Sequence, residues 1–297
     1  MLQNKNILIT GATGFIGYNL AKYLVQDNCV YCLVRKTSNL VNLQQLSGVK
    51  FIYYTGNTLD LIAAINGIKF DLVYHLASLF IAEHKTEQIE DLIDSNIKFP
   101  LQLLEALSVT QQEIKLVNTG TAWQNYDNSD YNPTCLYAAT KQSFEDIIKY
   151  YHEARELSFI TLRLYDSYGP KDERKKLFWL LNNLKETGNI LDMSPGEQKL
   201  NIVHIKDIVF AFEMAGEMLL ADCNIINSIF GVYSDEEYSL QEVVKIFEKI
   251  NQCNLNINWG KKEYRRRELM QPQYNYPLLS NWNASIKLHD GLQSLIS

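Results

Sequence analysis

Asn6-Ile-Leu-Ile-Thr-Gly11-Ala-Thr-Gly14-Phe-Ile-Gly17 decides the fold of this 297-residue chain. Ile7, Leu8 and Ile9 form a continuous apolar run, as in a strand buried on both faces, and three spaced glycines follow at once. Gly11 permits a tight turn, Gly14 lets backbone approach a pyrophosphate, and Gly17 lets the next helix pack closely on the strand. The intervening Thr13, Phe15 and Ile16 place backbone N–H groups at the positive end of that helix. The stretch reads as a dinucleotide cradle.

Outward from this turn the first half keeps the same rhythm. Val30–Arg35, Phe51–Tyr54, Asp71–Ala77, Ile114–Thr119 and Phe159–Arg163 read as further short strands. Helical patterns, such as 14–26 and 91–107, lie between them. Such alternation implies right-handed βαβ crossovers and a doubly wound parallel α/β sheet of the Rossmann type. After Gly169-Pro170 the pattern becomes irregular and lysine-rich to about Lys199, then gives strands at 201–205 and 227–232. Ser239-Leu-Gln-Glu242 has capping-box spacing and opens a helix toward Ile250. We therefore expect a cofactor domain of residues 1–165 plus 200–232, and a smaller, mostly C-terminal α/β substrate domain of 166–199 plus 233–297.

Composition narrows the function classes. The net charge is −6, which disfavours broad nucleic-acid binding. No apolar run approaches the ~20 residues of a membrane span, and the short apolar run after Lys5 is no signal peptide. Five cysteines, at 29, 32, 135, 223 and 253, are odd in number and scattered, as expected of reduced thiols in a cytoplasmic protein. Cys29 and Cys32 stand three apart on one strand, on opposite faces, and read as packing residues. His84, His152 and His289 show no metal-ligand grouping, and no metal is expected.

Two further patterns bear on chemistry. The second strand ends in Arg35-Lys36-Thr37-Ser38, where an NAD site usually places a carboxylate for the ribose 2′-hydroxyl. A guanidinium there suits a 2′-phosphate, so NADP(H) is the expected cofactor, with Arg35, Lys36 and Ser38 around the phosphate. Tyr137-Ala-Ala-Thr-Lys141 places a phenol and an ammonium on one helical face. The ammonium is expected to lower the phenol pKa, making Tyr137 a usable proton donor. Thr119 ends the preceding strand at the sheet edge where ligands bind.

With these residues in hand, the chain resembles the extended short-chain dehydrogenase/reductases, the sugar-nucleotide epimerase/dehydratase/reductase group. The matching stretches are TGATGFIG at 10–17, His75-Leu-Ala77, Asn96, the Thr119 region, Tyr137–Lys141 and Arg163–Pro170. Pro195-Gly-Glu-Gln198, His204–Asp207 and Gly291-Leu292 continue the same order. The resemblance implies a catalytic Thr119, Tyr137 and Lys141. It implies cofactor contacts from Asn57, Thr58, Leu76, Ala77, Ser78, Asn96, Tyr137, Lys141, Leu164 and Tyr165. Asn57 stands where this group commonly has an aspartate beside adenine.

The departures sharpen the resemblance. Related 4,6-dehydratases carry an acidic pair directly after the catalytic threonine; Gly120 and Thr121 stand there. Asp166 replaces the usual Asn before Tyr-Gly-Pro, a change associated with the CDP-abequose and CDP-paratose synthase type. That likeness implies NADPH-dependent reduction of the C4 keto group of a nucleotide-linked 4-keto-6-deoxyhexose, in deoxysugar biosynthesis for surface polysaccharide. Thr121, Gln124 and Asp166 are then sugar contacts, and Arg265 (before Glu268) and Lys199 are diphosphate contacts. A sugar-nucleotide 4-epimerase and a non-enzymatic NADP(H)-binding regulator are the alternatives. The helical stretches 91–107 and 137–151 carry apolar residues on more than one face, which predicts a homodimer.

Overall fold

The computed structural model describes residues 1–127, 129–221 and 227–295. Six strands follow in order: β1 (Asn6–Thr10), β2 (Cys29–Arg35), β3 (Val49–Tyr54), β4 (Leu72–His75), β5 (Ile114–Thr121) and β6 (Leu157–Leu164). With Ser228–Val232 they make a seven-stranded sheet in which every pairing is parallel, ordered Ser228–Val232, β6, β5, β4, β1, β2, β3. Chain order reverses at β1, which has β2 on one side and β4 on the other. A ligand crevice is expected above the carboxyl ends there.

Strand pleating sends alternate side chains into two cores. Ile7 and Ile9 join Leu20, Ala21 and Phe212 on one face, whereas Leu8 joins Phe70, Leu103 and Phe144 on the other. Both faces are covered, which explains the continuous apolar strands read in the sequence. Cys32 is buried in the first core. Cys29, Cys32, Cys135 and Cys253 are free thiols, and Cys223 lies outside the described residues.

Several boundaries differ from the sequence expectation for identifiable reasons. The helix expected over 91–107 is interrupted: Ile89–Ile93 and Phe99–Thr110 flank a π-turn at Asp94–Lys98. Pro100, which has no N–H to give to the preceding turn, follows directly after this widening. β4 ends at His75, so Leu76–Ser78 form a loop at the sheet edge. β5 runs two residues beyond Thr119, to Thr121. The strand expected at 201–205 is only Ile202–His204, and a long helix, Ile205–Leu220, starts immediately after it. That helix buries Ile208, Ala211, Phe212, Ala215 and Leu219 as one stripe, with Ile205 and Val209 beside it.

The irregular region beyond Gly169 contains, among the described residues, the helix Leu177–Thr187 and two two-stranded pairs, while a third pair joins Ile202–His204 to Asp166–Tyr168. Its small core joins Tyr168 and Ile202 to Val243, Leu288 and Leu292. The expected capping box is present: the Ser239 hydroxyl accepts from Glu242 N–H at 3.2 Å, and the Glu242 carboxylate accepts from Ser239 N–H at 2.6 Å. No helix among the described residues is long and apolar enough to cross a membrane.

Candidate functional site

The phosphate turn is built by close backbone contact. Gly11 has φ +71°, and a Cβ on it would stand 2.6 Å from Ala77 N. A Cβ on Gly17 would lie 2.2 Å from the Gly11 carbonyl oxygen, so the helix can start only against bare backbone. The helix Phe15–Leu24 begins at Gly14 with no side-chain cap and no acidic residue in its first turn. Its leading N–H groups are therefore available to an anion, and the cradle fits a dinucleotide pyrophosphate. Thr10 locks the neighbouring loop: its hydroxyl meets His75 Nδ1 at 2.9 Å and accepts from Ala77 N–H at 3.1 Å. Burial, reinforced by Lys141, holds the His75 imidazole well below its ordinary pKa, so it is neutral and structural.

Arg35 is exposed at the end of β2, and its N–H donates to Ser38 Oγ at 3.2 Å. Lys36 follows in the same exposed turn. Asn57 caps the helix Thr58–Ile65, its side-chain oxygen accepting from Leu59 and Asp60 N–H at 2.8 and 3.2 Å. That oxygen is turned into the helix.

The helix Leu136–Ala154 carries Tyr137 and Lys141, which are 9% and 2% exposed. The Ser78 and Thr121 hydroxyls lie close enough to the phenol to lower its pKa. Thr119 Oγ1, two residues back on the same strand face, is buried without a partner. Gly120 and Thr121 follow Thr119, so no carboxylate stands directly after it. One expectation is corrected here: burial raises the Tyr137 phenol to about 12 rather than lowering it, while Ser78 and Thr121 pull it down. Lys141 is coupled instead to Glu145 and Arg163, and burial lowers it to about 8.

Asn96 and Gln124 do not offer free polar atoms. The Asn96 side chain accepts from Ser78 hydroxyl and Leu79 N–H, at 3.0 and 2.7 Å, and donates to Leu79 O and Thr140 Oγ1, both at 3.0 Å. Its four positions are filled, so it shapes the 78–79 loop from beneath. Gln124 is fully buried; it accepts from Thr121 N–H at 3.0 Å and donates to Gln142 and Glu145 at 2.9 and 3.1 Å. Its expected sugar contact is thus replaced by a structural role. Leu164 is buried at the end of β6 in the core, and Tyr165 lies against Tyr233 and Tyr274, with ring centroids 5.4 and 5.5 Å away.

Beside the phenol is an aromatic and cationic wall that sequence patterning did not reveal. Phe80, 44% exposed, stands edge-on to Tyr137 at 5.0 Å and to Trp123 at 5.2 Å. Lys176 lies over Phe80 at 5.0 Å, and Arg265 over Trp123 at 4.7 Å. Arg265 is held in a fork by Glu268, at 2.8 and 2.6 Å. A cleft lined by Trp123, Tyr165, Asp166, Lys199 and Arg265 adjoins this wall. Burial raises the Asp166 carboxyl, against the pull of Lys176, Arg174 and Arg265. Lys199 is paired with Glu242 at 3.0 Å. Lys176 lay hidden in a lysine-rich stretch, and Phe80 in a loop without periodicity, so neither had a signal of its own. Among the described residues there is no group of three or more His, Cys, Asp or Glu able to hold a metal.

A glycine-rich phosphate turn at a sheet switch point, with a buried tyrosine and lysine one helical turn apart beside it, defines a nucleotide-cofactor enzyme class. Residues 7–226 match the model of the NAD dependent epimerase/dehydratase family, and the chain belongs to that family. It is 27% identical to the CDP-abequose synthase of Yersinia pseudotuberculosis, over 98% of this chain and 99% of that protein. It is 25% identical to the CDP-abequose synthase of Salmonella muenchen, over 99% and 98%. Its fold matches the UDP-glucose 4-epimerase of Thermotoga maritima solved with UDP-glucose, with a TM-score of 0.84, 18% identity, and 98% and 97% coverage.

Proposed function

We propose that the chain is an NADPH-dependent reductase of the C4 keto group of a nucleotide-linked 4-keto-6-deoxyhexose. The observation that carries this reading is the buried Tyr137 phenol beside the hydroxyl-bearing end of β5, where Gly120 and Thr121 follow Thr119. It offers a proton donor and a hydrogen-bond donor to one carbonyl oxygen, without the adjacent carboxylates that eliminating water from the sugar would use. The two relatives named as CDP-abequose synthases support the same class and make CDP the first nucleotide to try.

Gly11, Thr13, Gly14, Phe15, Ile16 and Gly17 would hold the cofactor pyrophosphate, and Arg35, Lys36 and Ser38 its 2′-phosphate. When bound, the reduced nicotinamide supplies the hydride for the carbonyl carbon. Thr119, with Thr121 beside it, orients the carbonyl oxygen, and Tyr137 gives the proton that turns it into a hydroxyl. Lys141, buried one helical turn from Tyr137, would hold the nicotinamide ribose of the cofactor. Asp166 and Lys176 face the sugar, and Arg265 and Lys199 its diphosphate. Arg265 keeps donors beyond those engaged by Glu268, because a guanidinium has five. Residues 1–165 plus 200–232 form the cofactor part in this reading, and the remainder forms the substrate part, in a cytosolic enzyme. Ile93, Leu101 and Tyr150, 40%, 38% and 65% exposed on the two helical stretches, would meet a second copy in a homodimer. Leu103, Leu104, Phe144, Ile148 and Tyr151 are spent on the internal core, and Leu92 is fully buried.

The test is to mix the protein, NADPH and 4-keto-6-deoxyhexoses carrying CDP, dTDP, GDP or UDP, and follow nicotinamide absorbance. Stoichiometric loss with one nucleotide supports the reading. Epimerisation without loss, or no change with any of them, overturns it.

A further inference from the structure

Trp123, at one end of the aromatic wall, opens a loop that returns on itself before the Tyr137 helix begins. Tyr126 N–H donates to Asn132 O at 2.7 Å, Asn132 N–H to Gln124 O at 3.0 Å, and Thr134 N–H to Trp123 O at 2.9 Å. Cys135, the next residue, is the N-cap position of the helix Leu136–Ala154.

A tight turn from the C-terminal segment is laid on this loop. Glu268 N–H donates to Arg265 O at 3.0 Å, which puts Arg266 and Arg267 at the two central positions. The turn touches the loop through two guanidinium groups. Arg265 lies over Trp123, 4.7 Å from the ring centroid. Arg267 holds the other end: its Nε–H donates to Pro133 O at 2.9 Å, Nη2 donates to Asn132 Oδ1, and Cζ stands 4.3 Å from the Tyr126 ring centroid. Arg266, between them, is exposed.

These contacts do different work. The fork of Arg265 on Glu268 lies within the turn, so it moves with the turn and cannot fix it against the loop. The flanking residues are tied elsewhere: the Tyr264 hydroxyl accepts from Glu197 N–H at 3.0 Å, and Met270 O accepts from Lys199 N–H at 2.9 Å. Asn275 donates to Ser129 O at 3.3 Å, but well beyond the turn and at an exposed site. Arg267 alone combines two directed hydrogen bonds with a stacked ring, and a planar guanidinium held in that way has one orientation. Fixing it fixes the backbone two residues from Arg265.

We infer that Arg267 is a positioning residue for the substrate diphosphate: it seats the 265–268 turn on the 123–134 loop and so keeps Arg265 over Trp123 at the cleft. The inference rests on the reading of Arg265 as a diphosphate contact; the attachment of the turn to the loop does not. Lysine cannot replace it, because an ammonium carries the same charge without the planar fork or the stacking face.

The experiment is calorimetric titration of the whole chain with CDP, dTDP, GDP and UDP, for wild type, Arg265→Met, Arg267→Met, Arg267→Lys and the double Met variant. Arg267→Met should weaken the nucleoside diphosphate that wild type binds by about fivefold, in the range for residues acting through one contact. Arg267→Lys should lose as much, the double variant should bind no worse than Arg265→Met, and NADPH affinity should stay in place. Deuterium exchange should quicken at 263–270 in Arg267→Met. Losses that multiply in the double variant, full binding with lysine at 267, or an equal loss of NADPH affinity overturns the inference: the residue then acts independently, by charge alone, or on the fold at large. Wild type that binds none of the four overturns it through Arg265, even where exchange still quickens. If the expected pattern is found and no sugar nucleotide consumes NADPH, the reductase reading fails and the positioning role stands.

Discussion

The cofactor side of the crevice and its sugar-facing side are built by opposite means. The phosphate turn, Gly11 to Gly17, is local: each glycine answers to backbone a few residues away or to the adjoining strand loop. The sugar-facing wall is assembled at long range, bringing Phe80 to Trp123 and Tyr137, and placing Lys176 and Arg265 over those rings. A feature fixed by local geometry leaves a pattern in the sequence, whereas one assembled from loops leaves only isolated residues.

Mutations should therefore separate the two sides. The largest effect is expected at their meeting point: Tyr137→Phe should retain NADPH affinity by fluorescence titration and lose about 100–10,000-fold in turnover, the range for a general acid. Unchanged turnover would remove Tyr137 from the chemistry. On the cofactor side, Arg35→Asp removes a phosphate partner and adds like-charge repulsion. Cofactor discrimination should fall by about 2–5 kcal/mol, measured as the ratio of kcat/KM for NADPH and NADH. A wild type that uses both equally would already refute the role of Arg35.

On the substrate side the expected effect is smaller and falls on another parameter. Arg265→Met should raise KM for the sugar nucleotide by about tenfold or more, as for one lost charge-assisted hydrogen bond, with KM for NADPH unmoved. A change in both Michaelis constants would break the division between the two sides. Smallest in its effect on chemistry is Leu101→Glu, which should halve the mass seen by light scattering, from a dimer to the 34.3 kDa chain, leaving the cofactor affinity in place. A wild-type mass already at that value rejects the dimer.

How much of this was legible beforehand follows the same division. The parallel sheet, the turn at 11–17 and the Tyr137–Lys141 face came from periodicity and spacing, and the structure has all three. The expected end of β5 at Thr119 fell two residues short because a strand end cannot be read that closely, and β5 continues to Thr121. Gln124 and Asn96 stand at positions suited to ligand contacts, but a sequence does not reveal that Glu145, Thr121, Ser78 and Leu79 already take up their hydrogen bonds. The Tyr137 phenol was expected to fall because spacing measures the distance to Lys141 but not burial, and burial dominates.

Deuterium transfer tests the central claim most directly. NADPH carrying deuterium at the transferable position of its nicotinamide is incubated with the protein and the keto sugar nucleotide that it consumes, and the product is read by NMR. The account predicts one deuterium on the sugar C4 for each NADPH oxidised, and almost none from Tyr137→Phe over the same interval. A product inverted at C4 with no deuterium and no NADPH oxidised would contradict it, and would make the chain an epimerase.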